Sequence, residues 1–270
     1  MTTAAVDFAT LNAWADRLID TARAAGAAIM AVHRTDFEVF KKADASPVTA
    51  ADQAAEAIVL ADLEQLLPKF PIVAEERVAA HGPPTFDGES FWLVDALDGT
   101  KEFVKKGDEF TVNIAFVQDG LPVLGIVFAP ARDALYVGVV NALTEKSGGA
   151  SRAEVWRGGV KAPIRCRARP RVPTVAGSKS HEISDNMKKF LAERGIEARI
   201  KISSSLKFGL VAEGMVDLYP RFGPTSEWDT AAGHALVRAA GGRVHDQTGV
   251  ELRYKKPDFR NGRFLVEGLP

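Results

Sequence analysis

The sequence predicts a layered α+β fold, and three observations carry that reading. Long helical stretches open the chain, strands joined by tight turns fill its middle, and the second half mixes helix with strand again. Hairpin-connected strands set between long helices favour a layered sandwich over a doubly wound parallel sheet, which needs strand and helix in strict alternation.

Leu11, Trp14, Ala15, Leu18, Ala22, Ala25 and Ile29 recur at helical spacing toward His33, so a long amphipathic helix comes first. A second helix starts after Ser46-Pro47-Val48, with Thr49 as its cap and Ala51, Ala54, Ala55, Ile58 and Val59 on one face, and Pro68 ends it. Phe70 to Ala74 reads as a strand, and Phe91 to Asp95 is a buried apolar run that closes on an acid. Thr111 to Val117 and Leu121 to Phe128 flank Asp119-Gly120 as a hairpin, and Ala134 to Val140 adds a further strand. Gly, Arg and Pro then punctuate 147–173. This divides the chain into an N-terminal half, 1–145, and a C-terminal half, 146–270. The second half offers a strand at 173–176, a helix over about 184–194 closed by Gly195, and a hairpin over 244–251. Before that hairpin, Trp228, Ala231, Ala232, Ala235, Leu236 and Ala239 form one helical face stopped by Gly241-Gly242, with Ser226 as N-cap.

Composition excludes several classes of function. With 34 basic and 35 acidic residues the net charge is -1, and no basic stripe exists to grip a nucleic acid polymer. The Arg165–Arg171 cluster reads as a solvated loop. Cys166 is the only cysteine, which excludes an internal disulfide and a cysteine zinc cluster and suits a reducing compartment. No apolar run approaches the roughly 20 residues of a membrane span, and the first thirty residues lack a leader pattern, so a soluble cytoplasmic protein is expected.

The acids carry the chemistry. Asp95 ends a run that ought to be buried, and an unpaired buried carboxylate costs several kcal/mol. Asp98-Gly99 alone reads as a turn, but a turn does not explain Asp95. Two acids around a tight turn can converge on a hard cation, with the Leu97 carbonyl as a third oxygen ligand, and a helical turn starting at Gly99-Thr100 would offer backbone N–H groups to a phosphate. Glu75 and Glu76 follow a strand and by themselves read as a solvated loop. Asp52 and Asp229 each sit three residues after a capping hydroxyl and by themselves read as capping-box acids. Together, Asp52, Glu75, Glu76, Asp95, Asp98 and Asp229 suffice for two or three Mg²⁺ ions, with hardly any softer ligand to compete.

These motifs resemble the inositol monophosphatase superfamily of lithium-sensitive, Mg²⁺-dependent phosphomonoesterases. The likeness rests on Ala74-Glu75-Glu76, on Trp92-Leu93-Val94-Asp95-Ala96-Leu97-Asp98-Gly99-Thr100, and on Trp228-Asp229-Thr230-Ala231-Ala232-Gly233. Ala96 stands where the family has proline. The stretches Ser46 to Asp52, Gly99 to Phe103, Glu109 to Ala115 and Gly223-Pro224-Thr225 look like the 3′(2′),5′-bisphosphate nucleotidase branch. The resemblance implies a five-layer αβαβα sandwich. It also implies one Mg²⁺ on Glu75, Asp95 and the Leu97 carbonyl, a second on Asp95, Asp98 and Asp229, and Glu76 near a third, weaker ion. Asp52 and Thr100 would orient and deprotonate the attacking water. Gly99, Thr100, His181, Lys207 and Arg221 would meet the substrate, a small phosphate monoester and in this branch a bisphosphorylated nucleotide. Hydrolysis of 3′-phosphoadenosine 5′-phosphate to AMP, in support of sulfur metabolism, is the expected reaction. Inositol 1-phosphate, histidinol phosphate, fructose 1,6-bisphosphate and a non-catalytic regulator of the same fold are the alternatives, and monomer and homodimer both stay open.

Overall fold

The structure is a computed structural model that describes residues 5–41, 47–66, 68–141, 150–179 and 183–269. In chain order the elements are α1 (Phe8–His33), β1 (Phe40–Lys41), β2 (Pro47–Val48), α2 (Ala50–Leu63), β3 (Ile72–Ala74), α3 (Glu75–His81), β4 (Phe91–Asp98) and α4 (Thr100–Val104). Strands β5 (Thr111–Gln118), β6 (Leu121–Ala129), β7 (Ala134–Val139), β8 (Arg152–Arg157) and β9 (Val160–Pro163) follow, then β10 (Val175–Gly177), α5 (Asp185–Glu193), β11 (Arg199–Lys201) and α6 (Leu206–Ala212). The chain closes with β12 (Leu218–Arg221), β13 (Thr225–Ser226), α7 (Ala231–Ala239), β14 (Arg243–Asp246), β15 (Arg260–Asn261) and β16 (Phe264–Glu267).

Strands β3 to β9 lie side by side in sequence order as a seven-stranded sheet, antiparallel except for the parallel β3–β4 pair. Side-chain alternation along these strands builds two cores at once. Trp92, Val94, Ile114 and Phe116 pack toward α1 and α2, whose Trp14, Leu18, Ala55 and Val59 share that cluster. Phe91, Leu93, Ala115 and Val117 face the other way, onto a core shared with Phe208 of α6 and Ala232 and Leu236 of α7. A buried face on both sides explains why β4 and β5 read as nearly continuous apolar runs. Each large side chain sealed there contributes roughly 1.5–3 kcal/mol.

The second sheet has five strands in the order β11-β10-β12-β16-β14, with parallel and antiparallel pairs mixed. Its inner face completes the core around α6 and α7, and its outer face is covered by Met187 and Phe190 of α5 against Val175 and Leu218. The layers therefore run αβαβα, as the sequence reading expects. Helix α7 lies so close to the first sheet that a Cβ on Gly125 would stand 2.2 Å from the Ala232 carbonyl oxygen, so β6 admits only glycine there.

Local expectations fare unevenly. Thr49 closes a capping box with Asp52, and Ser184 caps α5 by accepting the Met187 N–H. The seven-stranded sheet runs past the 145/146 division and ends at Pro163, so the change of sheet falls between Pro163 and Val175. Glu75 and Glu76 open a helix rather than a loop. Helix α7 starts at Ala231, after Thr230, so Ser226 is not its cap and belongs to β13. The Val244–Glu251 hairpin reduces to a turn with a single bridge from His245 to Glu251, because the true partner of β14 is β16, out of reach of any local pattern.

Candidate active site

The pairing of β4 with β5 slips between Asp95 and Asp98, and this bulge turns the end of a buried strand toward a cavity. Asp95 is 2% exposed, and one of its oxygens accepts the Leu97 N–H at 3.0 Å. Gly99 takes φ +94, a left-handed conformation that lets the chain reverse, and the short helix α4 starts at Thr100. The Thr100 hydroxyl lies 3.2 Å from the Leu97 carbonyl and 3.3 Å from Asp52 Oδ1. Asp52 Oδ2 meanwhile accepts from the Thr49 N–H and hydroxyl at 2.7 and 2.8 Å. The plain capping role and the pairing with Thr100 thus fall to different oxygens of one carboxylate.

Glu75 at the start of α3 and Asp229 just before α7 bring their carboxylates to Asp95: one oxygen from each of the three lies within 4.8 Å of the others. Asp229 also accepts the Ser226 N–H at 2.8 Å, which pins the turn that carries it. Asp98 lines the same cavity, but its Oδ2 is held by Ser204 Oγ at 2.5 Å, Ser205 N at 2.8 Å and Ser205 Oγ at 3.1 Å. Burial first, then the charges of Glu75, Asp98 and Asp229, push the Asp95 carboxyl well above the usual carboxylate range. Burial, Asp98 and Glu75 do the same to Asp229. A cluster of oxygens that repel one another this strongly, with no histidine or cysteine among them, fits a hard divalent cation, whose charge would reverse both shifts.

The cavity measures about 410 Å³ and is lined by Glu75, Asp95, Leu97, Asp98, Gly99, Thr100, Lys207, Arg221 and Asp229, among others. Asp52 reaches it through Thr100, while Glu76, in the first turn of α3, is not part of the lining. His181 lies outside the described residues. Lys207 is 6% exposed, and burial pushes its ammonium down to about 8 against the opposing pull of Asp98. Beside this cavity a second, of about 400 Å³, shares Ser178, Lys207, Tyr219 and Arg221 and is otherwise formed by Ile183, Met187, Pro220, Phe222 and Pro224 with Ser184, Arg199 and Gly223.

The sequence reading passes over the Ser203-Ser204-Ser205 turn. Ser204 adopts φ +58 and bonds both Asp98 and, at 2.8 Å, Thr111. The buried carboxylate of Glu109 holds the turn by accepting the Ser203 N–H at 2.9 Å and is itself paired with Arg132 at 2.7 Å. A run of three serines ahead of a buried lysine is the only signal of this turn in the sequence.

A model of the inositol monophosphatase family matches residues 11–268. The chain belongs to the inositol monophosphatase family. Within this family it is 44% identical over 261 residues to the 3′(2′),5′-bisphosphate nucleotidase CysQ of Escherichia coli strain K12, covering 93% of this chain and 98% of that one. Among solved structures it is similar to CysQ from Bacteroides thetaiotaomicron, with a TM-score of 0.77 and 34% identity over 96% of this chain and 98% of that chain. It also matches the inositol monophosphatase of Anabaena (Nostoc) sp. PCC 7120, with a TM-score of 0.69 and 25% identity over 96% and 91%. Among the described residues no helix is long and apolar enough to cross a membrane.

Proposed function

We propose that this chain is a magnesium-dependent 3′(2′),5′-bisphosphate nucleotidase that converts 3′-phosphoadenosine 5′-phosphate to AMP and phosphate. One juxtaposition carries the reading: the carboxylate cluster shares its cavity with a buried lysine, and a largely apolar chamber adjoins both. The carboxylates suit cations that bind the scissile phosphate, Lys207 and Arg221 suit a second phosphate, and the chamber around Met187, Tyr219 and Phe222 suits a flat base. Inositol phosphate has no use for such a chamber.

In this reading Glu75, Asp95 and the Leu97 carbonyl would hold one Mg²⁺, Asp95, Asp98 and Asp229 would hold a second, and Glu76 would help with a third. When bound, the ions lower the pKa of the attacking water and neutralise charge on the leaving oxygen. The chain's own part is positional and acid–base. Thr100, hydrogen-bonded to Asp52, aligns the water, and the Asp52 carboxylate takes its proton, while Thr49 keeps the other Asp52 oxygen fixed. Gly99, left-handed and with little room for a Cβ against Glu109 and Phe110, turns the chain so that its backbone lines the cavity where the phosphate would sit. Lys207, kept nearly dry, delivers a stronger charge to phosphate than an exposed lysine could. We also propose that the enzyme acts in the cytoplasm on a small-molecule phosphate, in keeping with its likeness to the CysQ nucleotidases.

The test is a panel of phosphate monoesters with Mg²⁺ titrated from zero. The expected outcome is Mg²⁺-dependent release of phosphate with the bisphosphorylated nucleotide preferred. Faster turnover of inositol 1-phosphate, histidinol phosphate or fructose 1,6-bisphosphate would reassign the substrate, and no activity on any of them would leave a non-catalytic protein of this fold.

A further inference from the structure

Helix α3 carries Glu75 at its first position, yet its N-cap is Ala74, which has no side chain able to cap it. The backbone donors of its first turn are met from another helix. Glu56 of α2 is 4% exposed, and its Oε2 accepts the Glu76 N–H at 2.8 Å while its Oε1 accepts the Arg77 N–H at 2.9 Å. A buried carboxylate with one oxygen on each of two successive amides fixes the direction in which that turn leaves β3. Glu56 also lies one helical turn after Asp52, so both buried acids of α2 project along the same side of the helix.

We infer that Glu56 is a positioning residue for the metal site: by capping α3 from α2 it sets the reach of Glu75 into the cluster with Asp95 and Asp229, and it ties that ligand to the same helix that holds Asp52 against Thr100. The first metal ligand and the water-orienting pair then move as one body. A serine or aspartate at position 74 would cap α3 locally, but it would leave Glu75 unconnected to α2. The inference rests on the reading of Glu75, Asp95 and Asp229 as metal ligands.

The experiment measures Mn²⁺ binding to the full chain without substrate, by electron paramagnetic resonance of the free ion, and compares it with thermal melting in EDTA. Glu56→Gln keeps one good acceptor and Glu56→Ala keeps none, so affinity is expected to fall in the order wild type, Gln, Ala, reaching about tenfold for Ala. At saturating Mg²⁺ the kcat of Glu56→Gln should return to within about threefold of wild type, because the reacting groups themselves are untouched. Asp62→Asn serves as a control for stability alone. It lies on the same helix, where Asp62 accepts from Thr21 at 2.6 Å and Arg17 at 2.8 Å, well away from the cluster. It should lower the melting temperature and leave Mn²⁺ affinity unchanged. Wild-type Mn²⁺ affinity in both Glu56 variants would overturn the inference, as would equal losses of affinity in Asp62→Asn. A wild-type protein that binds no Mn²⁺ would overturn the metal reading itself, and this inference with it.

Discussion

The acidic floor of the cavity and its basic wall are put together differently. Asp95, Leu97, Asp98, Gly99 and Thr100 lie together at the end of a single strand, Glu75 arrives at the start of α3 directly after the parallel neighbour β3, and Asp229 joins them from just before α7. Lys207 comes from α6, Arg221 from β12, and the serine turn between them and Asp98 is held by Glu109, some hundred positions earlier in the chain. A cation needs several oxygens within a few ångströms, and one strand end supplies most of them locally, with Glu75 and Asp229 brought in beside it. A substrate needs contacts spread over its whole length, so its wall must be gathered from distant elements. The floor is therefore expected to fix what reaction occurs, and the wall to fix on which molecule.

The strongest way to break this contrast is Asp98→Asn, which removes a floor carboxylate while the amide keeps the size. Turnover of every substrate should fall by about 10²–10³-fold, equivalent to roughly 2.7–4 kcal/mol of barrier, with little change in melting temperature. Steady-state kinetics on two substrates checks it, and a selective loss would mean that floor and wall are not separable.

Lys207→Met addresses the wall. It should raise KM for a bisphosphorylated nucleotide by about 10–100-fold, the equivalent of a charged hydrogen bond, while a substrate with one phosphate is turned over almost as before. An equal effect on both would place Lys207 with the chemistry.

A third change probes the scaffold common to both regions. His234 of α7 is fully buried, with Nδ1 3.1 Å from the Tyr254 hydroxyl, and burial pushes its imidazole down to about 4. Unfolded, it titrates at its ordinary value near 6.5. The unfolded chain thus binds the extra proton between those values, and stability falls as pH drops through that window. About 2 kcal/mol should be lost by pH 5 relative to neutral. Denaturant unfolding of the wild type and His234→Gln at both pH values checks this, since the variant should lose less.

The smallest effect concerns Ala96, where the resemblance to the family leads to an expectation of proline. Ala96→Pro should stabilise the floor by up to about 1 kcal/mol by restricting the unfolded chain, seen as a slightly higher melting temperature with unchanged kcat.

What could be read in the sequence follows the same division. The amphipathic spacing of α1 and α2, the β5–β6 hairpin and the acids at the end of β4 are all local patterns, and each stands where the pattern puts it. The sequence reading misjudges the elements whose partners are remote. Strand β14 pairs with β16 rather than with the segment that follows it, α3 forms where a pair of acids resembled a loop, and β8 and β9 extend the first sheet into the punctuated stretch. At the site, Asp52 fitted a capping box so well that its second oxygen, on Thr100, drew no attention from spacing alone. The serine turn, Glu109 and Glu56 act through hydrogen bonds to residues far away in the chain, and such bonds leave no periodicity to find.

The closeness of α7 to β6 bears on how this protein would look to a geneticist. Because Gly125 admits no side chain against Ala232, any replacement there would push away the helix that follows Asp229, although Gly125 touches neither cation nor substrate. A collection of null alleles selected for lost activity would include such positions beside the carboxylates. Sorting the two groups would take a single assay of soluble, folded protein: alleles at the carboxylates would accumulate normally, and alleles at Gly125 would not.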